Sequence, residues 1–151
     1  MKRHVSVRGI AVLDGKLLCV RLKPYFKKQD RDYDFWCLPG GGVDDDEPVV
    51  EAFKREMIEE LGVEPKVGRL LYVHQFHRDD DKDTVEFFFH IANPKDYLNV
   101  DINSTTHGPA EIEAIDFVDA KAVRVLPEFL SAEDLNAFIE SDEPVRFIAR
   151  Y

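Results

Sequence analysis

Glu56, Glu59 and Glu60 fall in a stretch whose apolar residues recur at three- and four-residue spacing, so the three carboxylates share a helix. At roughly 100° per residue, Glu56 and Glu60 lie one above the other with Glu59 beside them. Like charges at this spacing repel, and a bridging cation would relieve the repulsion. All-oxygen donor sets suit Mg2+ or Mn2+. Mg2+ in particular binds through a few carboxylates together with water and substrate phosphates. The three glutamates alone fit a solvated acidic face equally well, since charge runs on helices are commonly surface.

The surroundings of the helix shift that balance. Gly40, Gly41 and Gly42 precede it and allow a sharp turn with close backbone approach. Pro48 suits the first turn, the preceding acidic run suits the positive end of the helix dipole, and Gly62 suits a left-handed cap at the other end. Val50, Phe53, Met57 and Leu61 form a core-facing stripe that anchors one side. Upstream, Val5 to Leu13 and Leu17 to Leu22 read as strands joined by an Asp14-Gly15 hairpin turn, followed by a loop over residues 23–34 carrying Tyr25 and Phe26. Downstream, Val67 to Phe76 and Thr84 to Ala92 read as a second hairpin, residues 93–109 as an irregular connection, and Ala114 to Val118 as a strand. Ser131 to Ile139 reads as a C-terminal helix with Ser131 as cap and Glu133 as its capping-box partner.

The 151 residues suit a single domain, and 44% hydrophobic with 33% charged residues is a globular composition. A net charge of −10 opposes binding of a nucleic acid polymer, but permits an anionic substrate if cations stand between it and the carboxylates. Arg8, Asp14 and Lys16 interrupt the N-terminal apolar region, so neither a membrane span nor a secretory signal is read there, and a cytoplasmic location is expected. Cys19 and Cys37 form neither a CxxC pair nor a disulfide framework. No heptad pattern assigns an oligomeric state, and a homodimer is compatible with the sequence.

Gly41, five residues, Glu47, seven residues, then Arg55-Glu56-Met57-Ile58-Glu59-Glu60-Leu61-Gly62-Val63 resembles the Nudix box at every defining position. Leu38-Pro39-Gly40-Gly41 also looks like that family's lead-in. The resemblance implies an α/β fold: a Nudix-type α/β/α sandwich with a mixed central sheet and a loop-helix-loop catalytic element, here one domain over residues 1–151. It implies metal-dependent hydrolysis of the pyrophosphate linkage in a nucleoside diphosphate joined to another group X, a small-molecule substrate.

Carried over by position, Glu56, Glu59 and Glu60 would be the Mg2+ or Mn2+ ligands, with Glu59 or Glu60 also a candidate base. Arg55 and Glu47 look like the orienting and supporting pair, and Gly41 and Gly62 like the backbone-geometry positions. Similar enzymes often add a Glu from a loop facing the box. Glu111 and Glu113 are the best-placed candidates, with His107 and Glu86 behind them. Tyr25, Phe26, Phe76 and the 93–109 connection are candidates for choosing X, which the box does not specify.

Two rivals are weighed. Calcium loops starting at Asp30 or Asp79 fail, because the sixth and twelfth positions hold Phe35 and Gly41, or Thr84 and His90, in place of Gly and Glu. A non-catalytic nucleotide sensor of the same fold would be expected to lose box carboxylates, which this chain keeps.

Overall fold

The computed structural model describes residues 2–24, 34–77 and 82–150. The first apolar run becomes β1 (Lys2–Ile10) and β2 (Val12–Leu13), and the chain reverses at Asp14-Gly15 into β3 (Lys16–Leu22). Both turn residues have positive φ, 51° and 76°, the backbone of a two-residue hairpin whose twist matches its strands. Strands β4 (Trp36–Cys37) and β5 (Gly40–Gly42) lead into helix α1 (Val49–Leu61). Strands β6 (Val67–His77) and β7 (Lys82–Ile91) pair antiparallel as expected. The connection after them holds two 3-10 turns, Pro94–Tyr97 and Ile102–Ser104, and a short helix α2 (Gly108–Glu111). Then come β8 (Ile112–Val118), β9 (Val125–Leu126), α3 (Leu135–Glu140) and β10 (Arg146–Arg150).

The mixed sheet has the order β10-β6-β7-β1-β5, with β10 parallel to β6 and β7 parallel to β1. A second, smaller sheet stands beside it, built on β3 with β2, β4, β8 and β9. Alternation along the strands creates two cores. Val7, Phe89 and Ile91 pack with Phe53 and Met57 of α1, whereas Ile10, Tyr72 and Phe88 pack with Leu135 and Phe138 of α3. Helix, sheet and helix are therefore layered, as the α/β reading anticipates.

Three local expectations are corrected. Pro48 sits just outside α1, where its carbonyl accepts from the Ala52 amide at 2.9 Å. The buried stripe of α1 runs through Ala52, Phe53, Met57 and Leu61, while Val50 is 37% exposed. The cap of α3 is Asp134, whose carboxylate accepts from the Ala137 amide, and Ser131 belongs to a preceding 3-10 turn over Glu128–Ala132. Glu133 makes no capping box; it accepts from Tyr72 Oη at 2.9 Å and Arg146 Nη1 at 3.0 Å.

Strand β5 is pressed against β1, with Val7 opposite Gly41 and Arg8 opposite Gly40. Gly40 has φ +145°, and a Cβ there would stand 2.0 Å from the Val7 carbonyl oxygen. Gly40→Ala is expected to cost roughly 2–4 kcal/mol through clash and backbone strain. The measurement is a lowered urea midpoint at unchanged slope.

Candidate active site

Helix α1 presents its glutamates at graded depth. From Phe53, at about 100° per residue, Glu60 points almost along the buried stripe, with Glu56 and then Glu59 turned progressively away. Their exposures follow that order: Glu60 is 6% exposed, and the side chains of Glu56 and Glu59 are 14% and 26% exposed. Glu60 thus sits on the core side, so the three carboxylates that the sequence groups together differ in depth.

Gly41 makes room for Glu56, because a Cβ there would stand 2.4 Å from its carboxyl carbon. The Gly40 amide donates to Glu60 Oε2 at 3.4 Å. Burial, foremost, pushes the Glu60 carboxyl up to about 8, against the pull of Arg8 and the Gly40 amide and with the charges of Glu56 and Glu111 adding. Burial also raises Glu56, although the Arg55 guanidinium opposes it.

Arg55 ties loop and helix together. Its Nε and Nη2 donate to the two oxygens of Glu47 at 2.7 and 2.9 Å, a bidentate pair, and Nη2 also reaches Gly42 O at 3.0 Å. Its Nη1 is shared between Glu56 Oε1 at 3.0 Å and Glu59 Oε2 at 3.1 Å. Glu47 in turn accepts from the Asp44 amide at 3.1 Å, and its carboxyl is lowered, chiefly by the Arg55 hydrogen bond. Gly62 ends α1 at φ 73°, its amide donating to Ile58 O.

The 93–111 connection folds back onto this helix. The His107 amide donates to Glu59 O at 2.8 Å, and its Nδ1 stands 3.2 Å from Glu59 Oε2. Glu111, half-buried at the end of α2, acts on Glu60 through its charge. Glu113 is exposed on β8. Glu86 is buried on β7 among Ser6, Arg8 and His74. Phe76 is half-buried and stacks on His74 with ring centroids 4.7 Å apart. Tyr25 and Phe26, like Asp30 and Asp79, lie outside the described residues.

Sequence reasoning missed Arg8, Ser6 and His74. Their signal was the alternation of polar residues with Val5 and Val7 in β1, and of His74 with apolar neighbours in β6. The charge of Arg8 acts on Glu60 as well as on Glu86, so it links the box to a second cluster.

The NUDIX domain family model matches residues 2–139, and the chain belongs to the Nudix hydrolase family. It is similar to the CTP pyrophosphohydrolase of Escherichia coli (strain K12), 29% identical over 141 residues, with 82% of this chain and 98% of that protein covered. Its fold matches the solution structure of the E. coli ORF135 protein at TM-score 0.64 and 25% identity, over 86% of this chain and 85% of that one. It also matches the crystal structure of MutT protein from Methanosarcina mazei Go1 at TM-score 0.64 and 22% identity, over 92% and 91% of the two chains. Among the described residues no helix is long and apolar enough to cross a membrane.

The two buried glutamates give opposite pH signatures. Folded and metal-free, Glu60 keeps its proton up to about pH 8, whereas its ordinary value is 4.5. The folded state then binds more protons across that window, so stability falls as pH rises through it. Around Glu86, burial is outweighed by His74, Arg8 and Ser6, which bring its carboxyl to about 2; its contribution is full above 4.5 and lost as pH falls toward about 2. Urea midpoints of EDTA-treated protein should decline between about pH 5 and about pH 8. Glu60→Gln should flatten that decline, and equal slopes in the two proteins would refute the assignment.

Proposed function

We propose that the chain is a divalent-metal-dependent pyrophosphohydrolase acting on a nucleoside diphosphate linked to X, with a nucleoside triphosphate as the favoured form. The observation that carries this is the convergence of the Gly40-Gly41 backbone with the carboxylates of Glu56 and Glu60, beside a Glu59 that shares Arg55 with Glu56. The triphosphate preference is supported by similarity to a protein named CTP pyrophosphohydrolase over 98% of its length. We read residues 1–151 as one such domain, acting on a small nucleotide rather than a polymer, in keeping with the net charge of −10. Cys19 and Cys37, neither in a disulfide among the described residues, suit a reducing, cytoplasmic setting.

Among the described residues no three His, Cys, Asp or Glu side chains already converge as a finished cation cage. The donor set nevertheless fits Mg2+ or Mn2+, because Mg2+ takes one or two protein carboxylates and completes its shell with water and substrate phosphates. Arg55 Nη1, between Glu56 Oε1 and Glu59 Oε2, is itself a cation held by two of the proposed ligands. Glu56, Glu59 and Glu60 would hold the ion, which supplies charge neutralisation on the phosphoryl oxygens and a more acidic water.

The chain's own groups do the rest. Gly41 keeps the loop close enough for Glu56 to lie against its backbone, and Gly62 ends the helix so that the 93–111 connection can return to it. Arg55 and Glu47 fix the loop to the helix and orient Glu56 and Glu59, so they are positioning residues. Glu59, Glu60 and Glu111 are the carboxylates that can take the proton of the attacking water. Glu111 lies at the end of α2, and its charge is felt at Glu60.

With Mg2+, purified protein should release pyrophosphate or phosphate from a nucleoside triphosphate panel, and chelation should stop it. Glu60→Gln should lower kcat by orders of magnitude, and unchanged turnover would rule out its role. Arg55→Lys, which replaces a planar fork by a point charge, should cost about ten- to hundredfold in kcat/KM while the fold persists. Mass analysis of products formed in labelled water identifies the phosphorus attacked.

A further inference from the structure

Three adjacent strands carry one polar row on the sheet face turned away from α1. Ser6 of β1 lies opposite Glu86 of β7, which lies opposite His74 of β6. Glu86 Oε2 accepts from Ser6 Oγ at 2.8 Å and Arg8 Nε at 3.0 Å, while Oε1 has His74 Nδ1 at 3.5 Å. His74 is 5% exposed, yet among the described residues neither ring nitrogen makes a hydrogen bond. Buried polar atoms are rarely left so. Among the described residues Arg8 Nη1 reaches only Leu38 O, at 3.5 Å, which leaves guanidinium donors to spare there. Arg8, His74 and Glu86 line a cavity of about 340 Å³ whose other walls include Phe35, Leu38 and Phe76, with Ser6 holding Glu86 from behind. The volume and the few polar groups in apolar walls suit a flat small-molecule moiety.

We propose that this cavity receives the nucleobase, and that Glu86, backed by Ser6 and His74 and set beside Arg8, selects a base carrying an exocyclic amine next to a ring-nitrogen acceptor. Cytosine and adenine have that edge; uracil and hypoxanthine do not. The inference rests on the reading of the substrate as a nucleotide. An ionised carboxylate only accepts and a guanidinium only donates. The cytosine amine can therefore donate to Glu86 while its N3 accepts from Arg8. Uracil reverses both, setting a keto oxygen against the carboxylate and an N–H against the guanidinium. The donors around Glu86 hold its carboxyl at about 2 in spite of burial, so it stays an acceptor across the working range. A site whose buried polar groups go unpaired with the wrong ligand rejects it strongly.

The test titrates metal-free protein with two same-sized pairs, CMP against UMP and AMP against IMP, by calorimetry. In each pair that binds, the amine member should be tighter by about tenfold or more. Glu86→Gln, which can donate as well as accept, should shrink the ratio to about threefold or less, with retained fold checked by circular dichroism. Phe76→Ala should weaken both members of a pair and keep their ratio. The proposal is overturned by equal or reversed affinities within the pairs, by an unchanged ratio in folded Glu86→Gln, or by failure of all four nucleotides to bind. If Glu86→Gln does not fold, the wild-type and Phe76→Ala ratios still decide. Binding is read without turnover, so absent triphosphate hydrolysis would sink the hydrolase reading alone, and absent base preference would sink this one alone.

Discussion

The tightest constraint in the molecule is the space left to β5 between β1 and α1. On one side the Val7 carbonyl lies where a Gly40 side chain would begin; on the other the Glu56 carboxyl lies where a Gly41 side chain would begin. Hydrogen bonding to β1 leaves β5 no freedom to move off either neighbour. Glu56 and Glu60 are consequently placed by backbone, which is stiffer than any side-chain scaffold. Arg55 then closes the arrangement, because the same guanidinium that grips Glu47 and the Gly42 carbonyl of the loop also gathers Glu56 and Glu59 of the helix.

Placing Glu60 on the core side has an electrostatic cost that no ion pair among the described residues offsets. Arg8 draws on it from β1, but burial prevails and the carboxyl is left readily protonated. Glu86, equally buried, has the opposite fate because Ser6 and Arg8 donate to it directly and His74 stands beside it. Two glutamates of equal exposure thus differ in charge because their hydrogen-bond donors differ.

What could be read from the sequence was whatever depends on local spacing. The box helix, its left-handed cap at Gly62, the Asp14-Gly15 turn and the β6–β7 pairing all follow from neighbours within a few residues. Val50 misled because helical spacing alone cannot say how far the sheet extends beneath the first turn. Ser131 misled because Asp134, three residues on, offered a competing cap. Strand β10 was missed since its partner among the described residues, β6, lies some seventy residues away and three of its five residues are exposed. The Ser6–Glu86–His74 row escaped for the same reason: each residue looks unremarkable in its own strand, and only cross-strand register assembles them.

Strand β1 has both its faces committed. Val7 anchors the helix that carries the box, while of its immediate neighbours Arg8 lines the cavity on the other face and Ser6 holds Glu86 there. Because strand side chains alternate with period two, a slip by a single residue would exchange these faces, burying Arg8 under α1 and turning Val7 into the cavity. Point substitutions in β1 can each spoil one function, but a one-residue insertion or deletion would spoil both together. The strand therefore acts as a reading frame for the molecule, in which a change of length does more harm than a change of any one residue.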